Sequence, residues 1–308
     1  MDAAWKDRRD DEALSTKHDV FDGQFLHDFH GRDGLRFGRQ TKEGRYVFSL
    51  SVDFFNPFTN KQVGKQVSFG IISVVCLNLP VSMRYKPENM FLVGVIPGPK
   101  EPWLTLKHYL SPIVNEFLEF WDPGVHFSRT CKFPEGRLIL CALILVVCDL
   151  LAARKTIGYA ACSHEHFCNI CHCTRTSHSY GHTDCDAWEM RTNEEWRKAA
   201  DEYLACGSED ERLNHFNNTG VRWSELLRLP YFDIARCIVV DPMHNLFLGL
   251  IKEHFMGILG INLPKPQEKA ALVVNLGPPP LKLNPNDVKG VGKLKHWLEM
   301  PVNSTFPN

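Results

Sequence analysis

Two aspartates and one cysteine pair are the residues of this sequence whose types and spacing could do chemistry. Asp53 ends the segment YVFSLSVD, which is rich in β-forming residues, and Asp149 ends a continuous apolar run, Leu138 to Cys148. A C-x-x-C pair, Cys168 and Cys171, follows inside a group of further cysteines and histidines. An acid at the tip of a buried strand, with a metal knuckle after it, suits metal-dependent chemistry.

The two aspartates could hold divalent cations if they converge. Carboxylate oxygens are hard ligands that suit Mg²⁺ or Mn²⁺. Two such ions about 3.5–4 Å apart can activate a water or a 3′-hydroxyl and stabilise the leaving oxygen of an in-line phosphoryl transfer, and this chemistry needs a third carboxylate. The structural alternative is that Asp53 caps a turn and Asp149 caps the helix that follows it. The strand order described below favours the metal site.

Cys168 and Cys171 have the spacing of a zinc knuckle. Structural zinc is four-coordinate, and a second pair of ligands comes from elsewhere in the chain. The neighbouring candidates are His166, His172 and Cys173. The remote candidates are His244 first, with Cys237 or His254 as its companion. The alternative is a pair of buried or redox-idle thiols without a metal. A C-x-x-C pair can also be a redox motif, but no thioredoxin-like pattern surrounds this one.

A basic pair, Arg154 and Lys155, follows Asp149 closely. Such side chains could contact phosphates. A pair of this kind is more commonly a solvated helix face, which is the interpretation that we adopt from sequence alone.

The elements that would position the acids are four strands and a helix. The segments are strands Tyr46–Asp53, Ser68–Leu79 and Asn89–Ile96, an amphipathic helix Trp103–Trp121 containing Pro112, and strand Leu138–Cys148. Three strands can form a meander, and the helix then returns the chain so that the fourth strand lies parallel to the first. The non-alternating fourth strand is buried on both faces. This order predicts an α/β, ribonuclease-H-like core in which Asp53 lies beside Asp149.

The sequence after the fourth strand predicts a helical insertion followed by a tail. The helix candidates are Glu194–Cys206, Val221–Leu229 and Asp241–Leu259, the last with Asp241 as cap and Pro242 at its first position. The predicted organisation is a polar lead-in at 1–40, the first part of the core at 41–160, a mostly helical insertion with the zinc knuckle at 161–262, and a proline-rich tail at 263–308.

Composition points to a soluble intracellular protein. The 308 residues are 44% hydrophobic and 23% charged, with a net charge of −1 that argues against a free-standing nucleic-acid binder. The charged N-terminus lacks a signal sequence, and the longest apolar run falls well short of the ~20 residues of a membrane span. Eleven cysteines without a signal sequence indicate a reducing compartment, where they serve as buried thiols and metal ligands.

Several separate motifs resemble the transposase of CACTA (En/Spm-like) DNA transposons, in the form abundant in mushroom-forming fungi. The motifs are FSLSVDFFNPFTNKQ, CLNLPVSMRYKPENMFLVGVIPGPKEP, LILVVCDLLAARKTIGY, HFCNICHCTR and VVDPMHNLFLGLIKEHF. The resemblance implies a ribonuclease-H-like core with an Asp-Asp-Glu metal triad, DNA transposon ends as the partner, a nuclear location and a homo-oligomer.

Transferred to this chain, the resemblance makes Asp53 the first catalytic acid and Asp149 the second, both ligands of Mg²⁺ or Mn²⁺. It makes Cys168 and Cys171 half of a structural zinc site, and His244 a ligand from the other half. Leu151 stands where the family usually has proline, which is a minor departure.

The third acid is the serious departure from the family pattern. The family's glutamate lies in a later segment resembling Pro-Phe-Glu-Arg, which has no match before Asn308, and Asp241 and Glu253 are the nearest substitutes. No N-terminal DNA-binding module is evident either. We therefore expect a transposase fragment or decayed copy with impaired cleavage. The alternatives are an inactive transposase-derived domain that binds zinc, DNA or a partner, and a zinc-stabilised module of unrelated fold in which the two aspartates lie far apart.

Overall fold

A six-stranded mixed sheet forms the centre of the structure, a computed structural model that describes residues 18–38, 42–56, 68–99, 105–176 and 188–260. The strands are β1 (Gly44–Phe55), β2 (Phe69–Cys76), β3 (Met90–Ile96), β4 (Val125–Phe127), β5 (Arg137–Cys148) and β6 (Ile238–Val240). The helices are α1 (Gln24–His27), α2 (Val81–Arg84), α3 (Leu106–Trp121), α4 (Leu150–Ile157), α5 (Asn193–Ala205) and α6 (Glu209–Thr219). The α/β class predicted from the sequence is confirmed.

The strand order is β3-β2-β1-β5-β4, and β6 pairs with β5. β1, β2 and β3 form an antiparallel meander, and after α3 the chain returns to place β5 parallel to β1. The predicted arrangement of meander, helix and parallel strand is therefore confirmed, with strand ends that differ from the prediction by up to three residues. The short strands β4 and β6 were not predicted, because three residues carry too little periodicity to be recognised.

The pairing of β1 with β5 contains one irregularity. Phe48 lies opposite Leu143, but the next residue, Ser49, lies opposite Leu145, so that Ile144 is an extra residue on β5. This β-bulge shifts every later pair of the two strands by one position.

The sheet has a hydrophobic core on each face, as the apolar run of β5 predicts. On one face Leu143 and Val52 pack with Leu110 and Val114 of α3. On the other face Ile144 belongs to a second core, formed with a group of aromatic residues and their neighbours. This group comprises Phe21, Phe29 and Phe37 of the polar lead-in together with Trp121 at the end of α3. The described part of the lead-in therefore covers the second face of the sheet.

The helices differ from prediction in one substantial respect. The segment predicted as a helix at Val221–Leu229 contains only a 3₁₀ turn, Glu225–Arg228, and that prediction is wrong. Val221 instead forms an isolated antiparallel bridge with Tyr159. The start of this segment is therefore paired in an extended conformation and is not helical. α3 continues through the exposed Pro112, and the first predicted residues of this helix, including Trp103, lie outside the described residues.

The chain divides into two compact units, Met1–Val239 and Val240–Asn308. In the second unit the helix predicted at Asp241–Leu259 is present with largely π-helical hydrogen bonding, at Met243–Ile251 and His254–Ile258. The predicted proline-rich tail lies outside the described residues. Among the described residues, no helix is long and apolar enough to cross a membrane.

Candidate active site and cysteine knuckle

The C-terminal ends of β1 and β5 bring Asp53 and Asp149 to the same edge of the sheet. The last ladder pair is Leu50 with Val146, and the backbone N–H of Val52 then donates to the Sγ of Cys148 at 3.1 Å. In both contacts the residue of β5 comes 96 positions after its partner on β1. The same spacing, applied to the next residue of each strand, places Asp53 opposite Asp149. Adjacent strands lie about 4.8 Å apart, so the backbones of the two acids are neighbours. The distant aspartates expected for a module of unrelated fold are not observed.

Alternation along the strands places both carboxylates on the same face. Val52 and Cys148 are buried in the core beneath α3. Successive side chains of a strand point to opposite faces, so Asp53 and Asp149, each one residue further on, face away from that core. Asp53 is exposed, and its side chain makes no hydrogen bond or ion pair with the residues that the structure describes.

Asp149 is also the N-cap of α4, as the structural alternative proposed. Its Oδ1 accepts a hydrogen bond from the backbone N–H of Ala152 at 2.7 Å. Capping fixes one oxygen of the carboxylate. The other oxygen takes no hydrogen bond from the described residues, so capping and metal binding are compatible.

The two carboxylates offer hard oxygen donors that fit a small divalent cation. Across the described ranges, no group of three or more His, Cys, Asp or Glu side chains is arranged to hold a metal ion. The two sequence candidates for a third acid, Asp241 and Glu253, belong to the second compact unit. Their role in the acid site stays a prediction.

The basic pair on α4 is not the solvated face that the sequence suggested. Arg154 is only 5% exposed, and its Nε and Nη1 atoms have no hydrogen-bond partner among the described residues. Lys155 is half-buried, and its Nζ lies 5.1 Å from the ring centroid of Phe54, the neighbour of Asp53 on β1. Burial lowers the pKa of Lys155. Its ammonium group therefore lies at the same edge of the sheet as the two acids.

The segment Cys168–Cys171, which we call the knuckle, folds around one sulfur atom. The backbone N–H groups of Ile170 and Cys171 both point to the Sγ of Cys168 at 3.4 Å. Burial raises the pKa of the Cys168 thiol, and these two N–H donors oppose that effect by favouring the thiolate. The thiolate is the form that binds a metal. The local geometry therefore suits a metal ligand at Cys168.

Two side chains that sequence reasoning missed hold the knuckle in place. The hydroxyl of Tyr159 donates to the carbonyl oxygen of Cys168 at 2.7 Å. The Nε of Arg191 donates to the carbonyl oxygens of Cys168 and Cys171 at 3.2 and 3.0 Å, and its guanidinium lies 5.4 Å from the ring centroid of Tyr159. Burial raises the pKa of Tyr159 to about 12, so the hydroxyl remains a donor. Neither residue carries a local sequence signal, because both contacts depend on tertiary folding.

The other zinc candidates lie in different surroundings. Cys173 is buried beside the knuckle, whereas His172 contacts Glu195 through Nε2 at 3.4 Å. Burial lowers the pKa of His166, which favours the neutral imidazole that metals require. Cys237 is buried in the first compact unit.

The remaining candidates, His244 and His254, belong to the second compact unit, and His244 contacts the carboxylate of Asp241 through Nδ1. The complete zinc ligand set stays a prediction.

Comparison with known proteins now assigns the chain to a family. Residues 21–203, more than half of the chain, match the family model described as transposase family tnp2. The chain therefore belongs to the tnp2 family of transposases. The matched region includes the acid edge and the knuckle and ends before Cys237 and His244. No curated protein matches the chain.

Proposed function

We propose that this chain is a transposase of the CACTA type for metal-dependent cleavage and transfer of DNA strands at transposon ends, with a catalytic site that needs a third acid not identified in this sequence. The observation that carries the proposal is the parallel pairing of β1 with β5, which aligns Asp53 with Asp149. The order of meander, helix and parallel strand supports a ribonuclease-H-like core. The family match supports the transposase class and DNA as its substrate, in the nucleus where the DNA is found.

Asp53 and Asp149 would hold Mg²⁺ or Mn²⁺, which polarises the scissile phosphate and stabilises the attacking and leaving oxygens when bound. The protein's own contribution is to position the carboxylates. The cap contact to Ala152 fixes the orientation of Asp149, and the continuous β1 strand fixes that of Asp53. A third acid, Asp241 or Glu253 or one from another chain, would complete the ligand set.

Zinc would be structural, with Cys168 and Cys171 as two ligands and His244 as a third. The contacts of Tyr159 and Arg191 with the knuckle carbonyls support this assignment. They orient the segment through its backbone and leave the sulfur atoms available to bind a metal.

The second candidate function is an inactive transposase-derived domain that binds zinc, DNA or a protein partner. The contacts that hold the knuckle involve neither Asp53 nor Asp149. Binding at the knuckle would therefore persist without catalysis, and this candidate needs no third acid.

Manganese binding tests the acid pair directly. Titration of the purified chain with Mn²⁺, followed by electron paramagnetic resonance, is expected to show a site that Asp53→Asn and Asp149→Asn each abolish. Glu119→Gln, at an exposed position of α3, is the matched control and should leave the site intact. Mn²⁺ binding that survives both aspartate variants would reject the assignment.

A nicking assay decides whether this chain cleaves DNA by itself. The substrate is plasmid DNA carrying transposon ends, incubated with Mn²⁺ and either the chain or its Asp149→Asn variant. We expect no Asp149-dependent nicking by this chain alone, because the sequence offers no acid in the context of the third catalytic residue. Robust nicking that Asp149→Asn removes would instead show a complete enzyme.

A further inference from the structure

A cleft of about 230 Å³ opens at the C-terminal end of α4. It lies between α3, α4, the start of α6 and the segment 222–225. The volume is below the range of about 300–1,000 Å³ that is typical of pockets for drug-sized ligands. The cleft therefore suits a single small ligand group.

Backbone pairing builds this cleft. The N–H of Arg222 donates to the carbonyl of Gly158 at 2.7 Å, and the N–H of Ala160 donates to the carbonyl of Gly220 at 2.9 Å. The hydroxyl of Ser224 donates to the carbonyl of Thr156 at 2.7 Å. These bonds hold the side chains of Arg222 and the adjoining Trp223 beside Lys155, so the lining is preorganised.

The charge of the lining is predominantly positive. Among the described lining residues, four are cationic and two, Glu209 and Glu225, are acidic. The cationic residues are Lys107, Lys155, Arg212 and Arg222. Glu209 pairs with Arg212 at 2.6 Å, and Glu225 pairs at 3.0 Å with Arg228, which is not a lining residue. The described lining therefore carries more positive than negative charge, which would stabilise an anion.

Aromatic side chains complete the lining. Tyr203 and Trp223 are both partly exposed at the cleft. The guanidinium of Arg222 lies 3.4 Å from the ring centroid of Phe216, and burial lowers the pKa of Arg222. An aromatic face together with cations suits a ligand that has both a π-face and a phosphate. A nucleotide has both, whereas inorganic phosphate and acidic peptides lack the aromatic base.

The cleft lies close to the acid edge. Lys155 follows Asp149 by six residues on α4, which corresponds to about 9 Å along the helix axis. Consecutive nucleotides of one stacked strand rise about 3.4 Å each. The separation along the helix axis therefore equals the rise of about three nucleotides.

We propose that the cleft binds one unpaired nucleotide of a DNA strand, with the phosphate at Lys155 and Arg222 and the base against Tyr203 and Trp223. That this strand is the one held at Asp53 and Asp149 rests on the proposed function. The binding itself follows from the lining alone.

Fluorescence anisotropy with a labelled twelve-residue oligo-dT tests the proposal, in buffer without Mg²⁺ or Mn²⁺ and beside the same oligonucleotide paired with oligo-dA. We expect tighter binding of the single strand. Trp223→Ala should weaken it about five- to 160-fold, as expected for the loss of one stacked base. Lys155→Gln should reduce the salt dependence of binding by about 0.7 in log–log slope, as expected for one phosphate contact on a single strand.

Lys198→Gln, at an exposed position of α5 outside the cleft, is the control for charge alone. Equal losses for Lys155→Gln and Lys198→Gln would overturn the proposal, as would equal binding of single-stranded and double-stranded DNA. If Trp223→Ala fails to fold by circular dichroism, Lys155→Gln and Tyr203→Ala decide the outcome.

This assay separates the present inference from the proposed function, because it contains no catalytic metal. Oligo-dT binding in the cleft, without Mn²⁺ binding at the aspartates, would reject the proposed function and leave the cleft assignment. Mn²⁺ binding without oligo-dT binding would reject the cleft assignment alone.

Discussion

The buried ring of Tyr159 supports the knuckle through a single hydroxyl group. This hydroxyl donates to the carbonyl of Cys168, which Arg191 also contacts. Tyr159→Phe keeps the ring and loses one hydrogen bond without leaving the carbonyl unpaired. We expect the free energy of unfolding to fall by about 1 kcal/mol, measured by chemical denaturation.

Tyr109→Phe is the matched control, since Tyr109 packs on the same core and its hydroxyl makes no hydrogen bond with a described residue. An equal effect of the two substitutions would show that the hydroxyl of Tyr159 contributes nothing specific.

The ion pair of Asp33 with Arg45 predicts a pH dependence. The side chain of Arg45 is 6% exposed and donates to Asp33 at 2.6 Å, and this hydrogen bond lowers the pKa of Asp33 below its usual value of 3.8. A carboxyl whose pKa is lower in the folded state stabilises the fold above its unfolded pKa and loses that effect as the pH falls.

The difference in unfolding free energy between the wild type and Asp33→Asn should therefore be constant above about pH 5 and shrink below about pH 4. Denaturation curves across this range measure it, with the exposed Asp201→Asn as control. A difference that stays constant down to pH 3 would contradict the prediction.

At the scale of elements, the end of α4 depends on one glycine. Gly158 has φ +73°, and a Cβ atom there would lie 2.7 Å from the carbonyl oxygen of Arg222. Gly158→Ala should therefore cost about 2 kcal/mol or more of unfolding free energy, since the left-handed backbone alone costs an L-residue about 1–2 kcal/mol. Thermal and chemical denaturation measure the loss.

Gly94→Ala on β3 is the control, because its Cβ would enter open space. A loss for Gly158→Ala no larger than for Gly94→Ala would show that the segment 220–224 can move away from α4 at little cost.

The strands were predictable because their signal is local. The apolar run of β5 predicted burial on both faces, and Leu143 and Ile144 do enter opposite cores. The segment Val221–Leu229 misled the prediction because its helical spacing is overruled by pairing with Gly158 and Ala160, which are distant in sequence. Tertiary hydrogen bonds of this kind have no counterpart in a local pattern.

The same distinction applies to the candidate sites. Asp53 and Asp149 could be aligned from sequence, because strand order alone determines which strand ends meet. The cleft could not be predicted from the sequence, because Arg222 and Trp223 are brought to Lys155 by the bridge between Val221 and Tyr159. The burial of Arg154 was missed for a similar reason, since adjacent basic residues give no indication of which elements cover them.

At the scale of the whole molecule, the described part of the polar lead-in belongs to the fold. Phe37 is 1% exposed, and its ring stacks on Trp121 with centroids 5.7 Å apart. Phe37→Ala should lower the free energy of unfolding by about 3–5 kcal/mol through the cavity that it leaves. Chemical denaturation followed by tryptophan fluorescence measures this loss.

Leu35→Ala, at a residue that is 42% exposed, is the control and should change stability by less than about 1 kcal/mol. If the two variants were equally stable, the second core would not depend on the lead-in.

The extra residue Ile144 on β5 determines which kind of genetic change the acid edge can survive. Pairing of the same sequence without the bulge would put Asp53 opposite Cys148, and Asp149 would fall one place beyond. A substitution in the interior of β1 or β5 changes packing but leaves the number of residues unchanged. Loss of a single codon between Ile144 and Cys148 would remove the extra residue, and regular pairing from Phe48 and Leu143 onward would still bring Asp53 opposite Asp149. Loss of a single codon between Ser49 and Val52 would instead leave two extra residues on β5. In decaying copies of such a gene, we therefore expect the acid pair to survive one-residue deletions in this part of β5 better than in the facing part of β1.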